Sequence, residues 1–282
     1  MMEVTSSFTA KRGITLPFSD FCPPLLFPDS DSERLHASLL EIGRRRGWKS
    51  LLIRGSRDLP SDGGGSCYLH SIDLSGSEDE RLQRCTSSVR RAIRKAQHHG
   101  IKIERSTSRQ ALLTFYRLHS RTRRRHGLPP QPWKFFEGIH REFMVPGNGT
   151  IFSATAGPRT IAAAVFLTLK ERVLYKYAAS DIFSQQVRPN NLLLWEAIRF
   201  YSGQGARRLH LGRTDFRDEG LRRFKLGWGS EEELLPYHRY DFSQQSWSVE
   251  KPAGRGIHEA IFRHLPLAVN RLAGALLYPH LD

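Results

Sequence analysis

Lys225 stands near the end of the stretch EGLRRFKLGWG. A lysine fixed beside a carbonyl that gains negative charge can stabilise the oxygen of a tetrahedral intermediate. It can equally be one of 43 basic residues on a solvated helix face. A second group lies in SQQVRPNN, where Gln185, Gln186, Arg188 and Asn190 precede a helix expected to begin near Asn191. The first turn of a helix offers unpaired N–H groups and a dipole that favour an anion such as a pyrophosphate, although an ordinary capped start would read the same way.

A third candidate is TRRRHG at residues 122–127, in which Arg125 could grip a phosphate with two parallel hydrogen bonds. The same run suits a helix C-terminus that complements the dipole. Tyr175 and Tyr177 alternate with Leu174 and Lys176 on an expected strand, which would put both rings on one side, for contact with a substrate or for packing. Asp181 and Asp215 each follow a Ser or Thr after a strand, where a carboxylate can hold an amine or cap a turn.

Other chemistries find no support. None of the 12 histidines forms a His-x-x-x-His or Cys/His cluster with ligand spacing, so no metal is expected. No Gly-x-Ser-x-Gly elbow occurs, so a covalent acyl-enzyme is not expected either. Direct attack by a positioned nucleophile is the chemistry left.

These residues need elements to hold them. Asp31 and Ser32 can cap a helix SERLHASLLEIGRRRG with Leu35, Leu39, Leu40 and Ile42 on one stripe, stopped by Gly47. Trp48–Ile53 and Cys67–Leu74 read as strands joined by SRDLPSDGGGS, a hairpin or connector without phosphate-loop spacing. Ser87 or Ser88 starts a helix to His99 with Val89, Ile93 and Ala96 inward and Arg90, Arg91, Arg94 and Lys95 on a solvent stripe that could track RNA phosphates. Ser108 starts another with Leu112, Phe115 and Leu118 together, and Pro132 opens a third with Phe136, Ile139 and Phe143.

TIFSATA, TIAAAVFLTL and RVLYKYAAS, joined by short turns, predict an antiparallel meander. The helix NNLLLWEAIRFYSGQG, a strand over Arg208–Gly212, a helix over Glu219–Leu226 and a last strand over Leu234–Phe242 follow. The fold class is therefore α+β (α/β): a mixed, mostly antiparallel sheet flanked by helices.

Lys and Arg number 43 against 28 Asp and Glu, a formal charge of +15, which suits an anionic partner or reflects composition bias alone. Three cysteines without paired spacing fit a reducing cytoplasm. No leader pattern opens the sequence and no run approaches the roughly 20 apolar residues of a membrane span. In Gly256–Tyr278, Ile261, Leu265, Val269 and Leu272 recur at near-helical spacing, a face expected to dock on the protein or rest on a membrane surface.

Six segments carry a resemblance to a known family: LPFSDFCPPL, SSVRRAIRKAQHHGI, FYRLHSRTRRRHGLPPQP, YKYAASD, LLLWEAIRFYSGQGARRLHLGRTD and EGLRRFKLGWG. Together they resemble the FemAB-like peptidyltransferases and their relatives with a BioF2-like acetyltransferase domain, within the GNAT superfamily. The resemblance implies a partial first GNAT-like domain over 1–77, a GNAT/BioF2-like domain over 78–245 and a helical tail over 246–282. About a quarter of a usual member would then be missing at the front.

It also implies roles. Lys225 matches a lysine implicated in stabilising the carrier-linked intermediate, and the carbonyl of Phe224 would lie close to the reacting amine. Arg125 falls in the Thr-x-x-Arg context that grips a nucleotide-sugar's phosphates, Tyr177 near a substrate-touching tyrosine, and SQQVRPNN where a carrier's pyrophosphate would bind. That last loop lacks the Arg/Gln-x-x-Gly-x-Gly/Ala signature of acetyl-CoA users, a departure usual in a family whose known donors are aminoacyl-tRNAs. The expected function is transfer of an acyl or aminoacyl group from acyl-CoA or aminoacyl-tRNA, bound as co-substrate, to an amine of a cell-envelope, amino-sugar or peptide substrate that is nucleotide- or lipid-linked. A non-catalytic RNA- or membrane-binding protein on the same scaffold is the alternative.

Overall fold

The computed structural model describes residues 1–6, 10–25, 31–56, 59, 66–249 and 257–280. Strands β1 (Met2–Ser6) and β2 (Ala10–Ile14) pair antiparallel and lead to helix α1 (Ser32–Arg46). Asp31 caps α1 by accepting from the N–H groups of Glu33 and Arg34, and Gly47 ends it at φ 65°. Strands β3 (Ser50–Arg54) and β4 (Cys67–Asp73) follow; they do not pair with each other, and most of the Gly-rich segment between them, residues 57–58 and 60–65, lies outside the described residues.

Helix α2 (Glu78–Arg84) carries a full capping box between Ser77 and Glu80, and α3 (Ser87–His98) is capped by Thr86 rather than by Ser87 or Ser88. Arg90 is not on the solvent stripe, because its guanidinium turns back to the carbonyls of Leu82, Gln83 and Cys85 and closes the end of α2. Next come β5 (Lys102–Ser106), α4 (Arg109–Arg125) capped by Ser108, and α5 (Trp133–Ile139). A π-turn over His140–Met144 then buries Met144 and leaves Phe143 exposed.

The meander is β6 (Gly149–Ala156), β7 (Arg159–Leu169) and β8 (Arg172–Ser180). It is followed by α6 (Pro189–Gly203), β9 (Arg208–Thr214) and α7 (Glu219–Leu226). The strand expected over Leu234–Phe242 is two strands, β10 (Glu231–Leu235) and β11 (Tyr237–Asp241), because Pro236 has no N–H to continue a ladder. β12 (Ser246–Val249) and helices α8 (Ile257–His264) and α9 (Leu267–Leu277) complete the chain.

The strands form a seven-stranded sheet in the order β10-β4-β9-β8-β7-β6-β5 and a five-stranded sheet in the order β1-β2-β3-β11-β12. Chain order and sheet order therefore cross. β4, inside 1–77, belongs to the larger sheet, while β11, inside 78–245, belongs to the smaller. In the larger sheet every pair is antiparallel except β8 with β9. Its two faces are covered separately: α3 and α6 enclose a core around Phe152, Phe166 and Leu194, and α4 and α5 enclose one around Phe115, Phe136 and Ile151.

The tail docks, but with the opposite face from the one expected. Pro266 divides it into two helices that pack on α4, and Asn270, Gly274 and Tyr278 are the buried positions. Ile261, Val269, Leu272 and Leu276 point outward. Close approach explains the choice: a Cβ on Gly274 would strike the Pro130 carbonyl, so this small residue, and not the apolar stripe, sets the contact. Gly274→Ala accordingly lowers stability by about 1–3 kcal/mol despite alanine's better helix propensity, and a urea titration measures it. An unchanged midpoint would mean that the docked geometry is not held in solution.

Candidate functional site

The two parallel strands stay together for three pairs only, Arg172 with Arg208, Val173 with Leu209 and Leu174 with His210. Beyond Leu174 and His210 the two strands part, and helices α6 and α7 begin past their C-terminal ends. In open α/β sheets, ligands bind at such C-terminal ends, where strands part.

A bulge shapes one wall of this opening. Val165 pairs with Tyr177 and Phe166 with Tyr175, which leaves Lys176 as the extra residue of β8. The register shift corrects the expectation that both tyrosines share a side. Tyr175 packs in the core under α3 and α6, whereas Tyr177 lies under α4 and α5 against His119 and Phe136. Burial pushes both phenols well above their ordinary range. Tyr177 is packed among aromatic rings, and the side chain delivered to the opening is Lys176.

Lys225 sits on the other wall. Its side chain is buried, the whole residue being 3% exposed, and its ammonium donates to the carbonyl oxygens of Gly212 at 2.8 Å and Arg213 at 2.9 Å on β9. An ammonium has three N–H donors, so the third remains for a ligand oxygen. Burial pulls its pKa down to about 8, with Asp20 nearby opposing the shift. The helix around it closes through Gly227 N–H to the Arg223 carbonyl, Trp228 N–H to Lys225 and Gly229 N–H to Leu226. These bonds pass over the carbonyl of Phe224, whose ring packs edge-on to Trp228.

The remaining expected residues gather less tightly. Arg125 ends α4 and donates to the Ser180 carbonyl at 3.3 Å, at the far end of β8; burial works against its charge and Asp181 supports it. Asp181 caps the 3-10 turn Ile182–Val187 by accepting from Phe183 N–H and pairs with Arg159, the turn-capping alternative of the two open for it. Asp215 folds back on Arg217, accepting from its backbone N–H and its guanidinium, which hold its carboxyl below the usual range.

Gln185 and Gln186 lie in that 3-10 turn, and α6 begins at Pro189 rather than near Asn191. Arg188 stands at φ 57° with no side-chain cap on the helix. Pro189 has no N–H, and Asn191 N–H bonds to the Arg188 carbonyl, so Asn190 supplies the main unspent backbone donor. This is a sparse cradle for a pyrophosphate. Among the described residues no metal-binding group of His, Cys, Asp and Glu occurs.

Three participants were not singled out from sequence: Asp20, Lys176 and Arg213. The segment Thr15–Phe21 crosses the opening as a strap. Lys176 donates to the Phe18 carbonyl at 2.7 Å and stands 3.8 Å from the Asp20 carboxylate, and Arg213 stands 3.7 Å from it. Tyr237 Oη donates to the Asp20 carbonyl at 2.7 Å, and Arg54 donates to the carbonyls of Leu16 and Ser19. The strap's only sequence signal was its membership of a family-like segment, LPFSDFCPPL.

A mostly antiparallel sheet that opens between its two parallel strands, with a helix beginning past each, defines the GNAT class of acyltransferase folds. The chain belongs to the acetyltransferase (GNAT) domain family, which it matches over residues 83–239. No curated protein matches it in sequence. Among solved structures it is similar to FemX, at 17% identity and a TM-score of 0.59 over 75% of this chain and 77% of that one. It is also similar to the C-terminal domain of a putative lysylphosphatidylglycerol synthetase from Agrobacterium fabrum, at 11% identity and a TM-score of 0.56 over 84% and 82%. L-PGS from Bacillus licheniformis aligns at 11% identity and 0.51, over 85% and 77%. Among the described residues no helix is long and apolar enough to cross a membrane.

Proposed function

We propose that this chain is an N-acyltransferase that moves an acyl or aminoacyl group from an activated carrier, acyl-CoA or aminoacyl-tRNA, to an amine of a cell-envelope, amino-sugar or peptide substrate. The observation that carries this reading is the Lys225 ammonium, buried where β8 and β9 part and held by two β9 carbonyls with one donor left. The acyl carbonyl would enter between the strands and a neutral amine would attack it directly. The new C–N bond replaces the C–S bond of acyl-CoA or the ester C–O bond of aminoacyl-tRNA, while the nitrogen's proton departs with the released thiol or hydroxyl. As its oxygen becomes anionic, the remaining Lys225 N–H meets it, and because the ammonium is already fixed no reorganisation is needed. The Phe224 carbonyl, outside the closing bonds of α7, suits a hydrogen bond from the attacking nitrogen.

The sparse α6 start favours a carrier gripped mainly through groups other than a glycine-rich loop. Arg125, near the end of β8, and the exposed Gln185 and Gln186 remain candidates for the outer part of carrier or acceptor. The outward stripe Ile261, Val269, Leu272 and Leu276, beside the exposed Arg263, supports peripheral contact with an anionic membrane, which would place the enzyme at the cytoplasmic face of the inner membrane.

The test is a donor and acceptor screen read by mass spectrometry, with acyl-CoA, charged tRNA, nucleotide-linked muropeptides and amino sugars, beside a liposome sedimentation arm. Expected is a new amide whose formation depends on Lys225. If every donor leaves all acceptors unmodified while nonspecific RNA or anionic liposomes bind, the scaffold serves as a binding module and the catalytic reading falls.

A further inference from the structure

Lys176, Arg213 and Lys225 bring three cations to one opening, and the carboxylate that meets the first two is Asp20 of the strap. Neither pair is a close one. At 3.8 and 3.7 Å both exceed hydrogen-bond length, so neither cation is fully engaged by that carboxylate. Lys225 is buried and Lys176 nearly so, while Arg213 stands half-exposed at the mouth, and gathering like charges there is costly unless an anion neutralises them. Asp20, with Asp218 acting on Lys225 from the start of α7, still leaves a positive surplus against three cations. Asp20 Oδ2 also lies close to Gly212, 3.1 Å from where a Cβ would stand, so the anion reaches deep between the strands only because that position is glycine.

The strap is anchored by its backbone and not by this side chain. Tyr237 and Arg54 hold the carbonyls of Asp20, Leu16 and Ser19, and Phe18, at φ 61°, stacks on Tyr278 at 4.4 Å. The carboxylate can therefore turn away while the strap stays in place. A phosphoryl group carries more charge than a carboxylate and offers three acceptor oxygens. Lys176 and Arg213 supply matching donors on opposite walls.

We propose that the opening between β8 and β9 is an anion site for a phosphoryl group and that the Asp20 carboxylate occupies it as an internal stand-in until that group arrives. The role in transfer rests on the acyltransferase reading; the binding does not. A nucleotide carrier and a nucleotide-sugar acceptor share this chemistry.

The experiment is calorimetric titration of the full chain with inorganic pyrophosphate at fixed ionic strength, for wild type, Asp20→Asn, Lys176→Gln and Arg213→Gln, each first checked for an unchanged melting profile. Asp20→Asn is expected to tighten pyrophosphate at least tenfold, since it removes the competing charge, and either cation replacement to weaken it at least tenfold. Competition by coenzyme A or by UDP then tells carrier from acceptor as the source. Pyrophosphate binding that Asp20→Asn leaves unchanged or weakens overturns the proposal. So does selective loss of D-glucosamine binding in Asp20→Asn, which would make Asp20 an anchor for an ammonium. If the cation variants do not fold, the sign of the Asp20→Asn effect decides alone. Tightening without any transferase activity would remove the catalytic reading and keep the site; activity with no pyrophosphate effect would do the reverse.

Discussion

Replacing Lys225 with methionine lowers the rate of acyl transfer by about 10²–10³-fold, the usual loss for one oxyanion donor, while the melting temperature at neutral pH hardly moves. The two halves of this expectation have separate causes. In the unfolded chain the lysine keeps its proton up to its ordinary 10.5, whereas in the fold burial pulls it to about 8. Between those values the unfolded state binds more protons, so stability rises with pH through the window and the burial cost stands in full below it. That cost is about 3 kcal/mol at pH 7. Methionine removes it at similar volume but strips a donor from the carbonyls of Gly212 and Arg213, which costs about 1–3 kcal/mol and nearly offsets the gain.

The wild-type rate should fall as pH rises through about 8, because the reaction needs the charged form of Lys225. Lys225→Met should lack that falling limb. Arg222→Ala is the control: its guanidinium forks onto Glu232 and lies over the Tyr68 ring, close in sequence but outside the opening. Equal rate losses in the two variants, or an unchanged pH profile in Lys225→Met, would assign the effect to the packing of α7 and remove the special role.

Why Lys225 was legible and its partners were not follows from distance along the chain. The lysine sits in a compact motif, and helix α7 with its strand neighbours is declared by local signals such as Asp218, which accepts from Leu221 N–H as the cap. Asp20 reaches the same place from about 200 residues away, through sheet pairings that no local pattern records. Lys176 was read as the polar partner in an alternating strand, and period-two reasoning holds only until an extra residue enters the ladder; one bulge between Val165 and Phe166 moved Tyr175 and Tyr177 to opposite faces. Pro236 carried a readable signal, and it divides the final strand between two sheets. The tail shows the other failure. Its apolar spacing was real, but contact with α4 is set by how closely backbones can approach at Gly274, a steric fact that hydrophobic periodicity does not encode.

Acid should unfold the molecule largely through His119, the second large effect. This side chain is buried in α4, its Nε2 2.7 Å from Gln131 Oε1, and it packs on Phe115, Phe136 and Tyr177. The Gln131 oxygen fixes the neutral tautomer with Nε2–H as donor, and burial drives the pKa down to about 3. An unfolded histidine takes up its proton near 6.5, so between 6.5 and 3 the unfolded state binds more protons and stability falls as pH falls. The full window corresponds to about 4–5 kcal/mol from this residue. His119→Leu keeps the volume and loses one hydrogen bond, so it should be less stable than wild type by about 1–2 kcal/mol at neutral pH. Near the acid end of the window it should be the more stable of the two. Buried His70 and His238, with the less enclosed His126 and His210, are shifted the same way and steepen both curves, so the difference between them isolates His119. Urea titrations across this range should show the curves cross; parallel curves would mean that His119 charges without leaving the core. Because α4 also carries Arg125 and packs against β8, the wall that holds Lys176 should loosen in the same pH window, and acid should disable transfer before the rest of the sheet is lost.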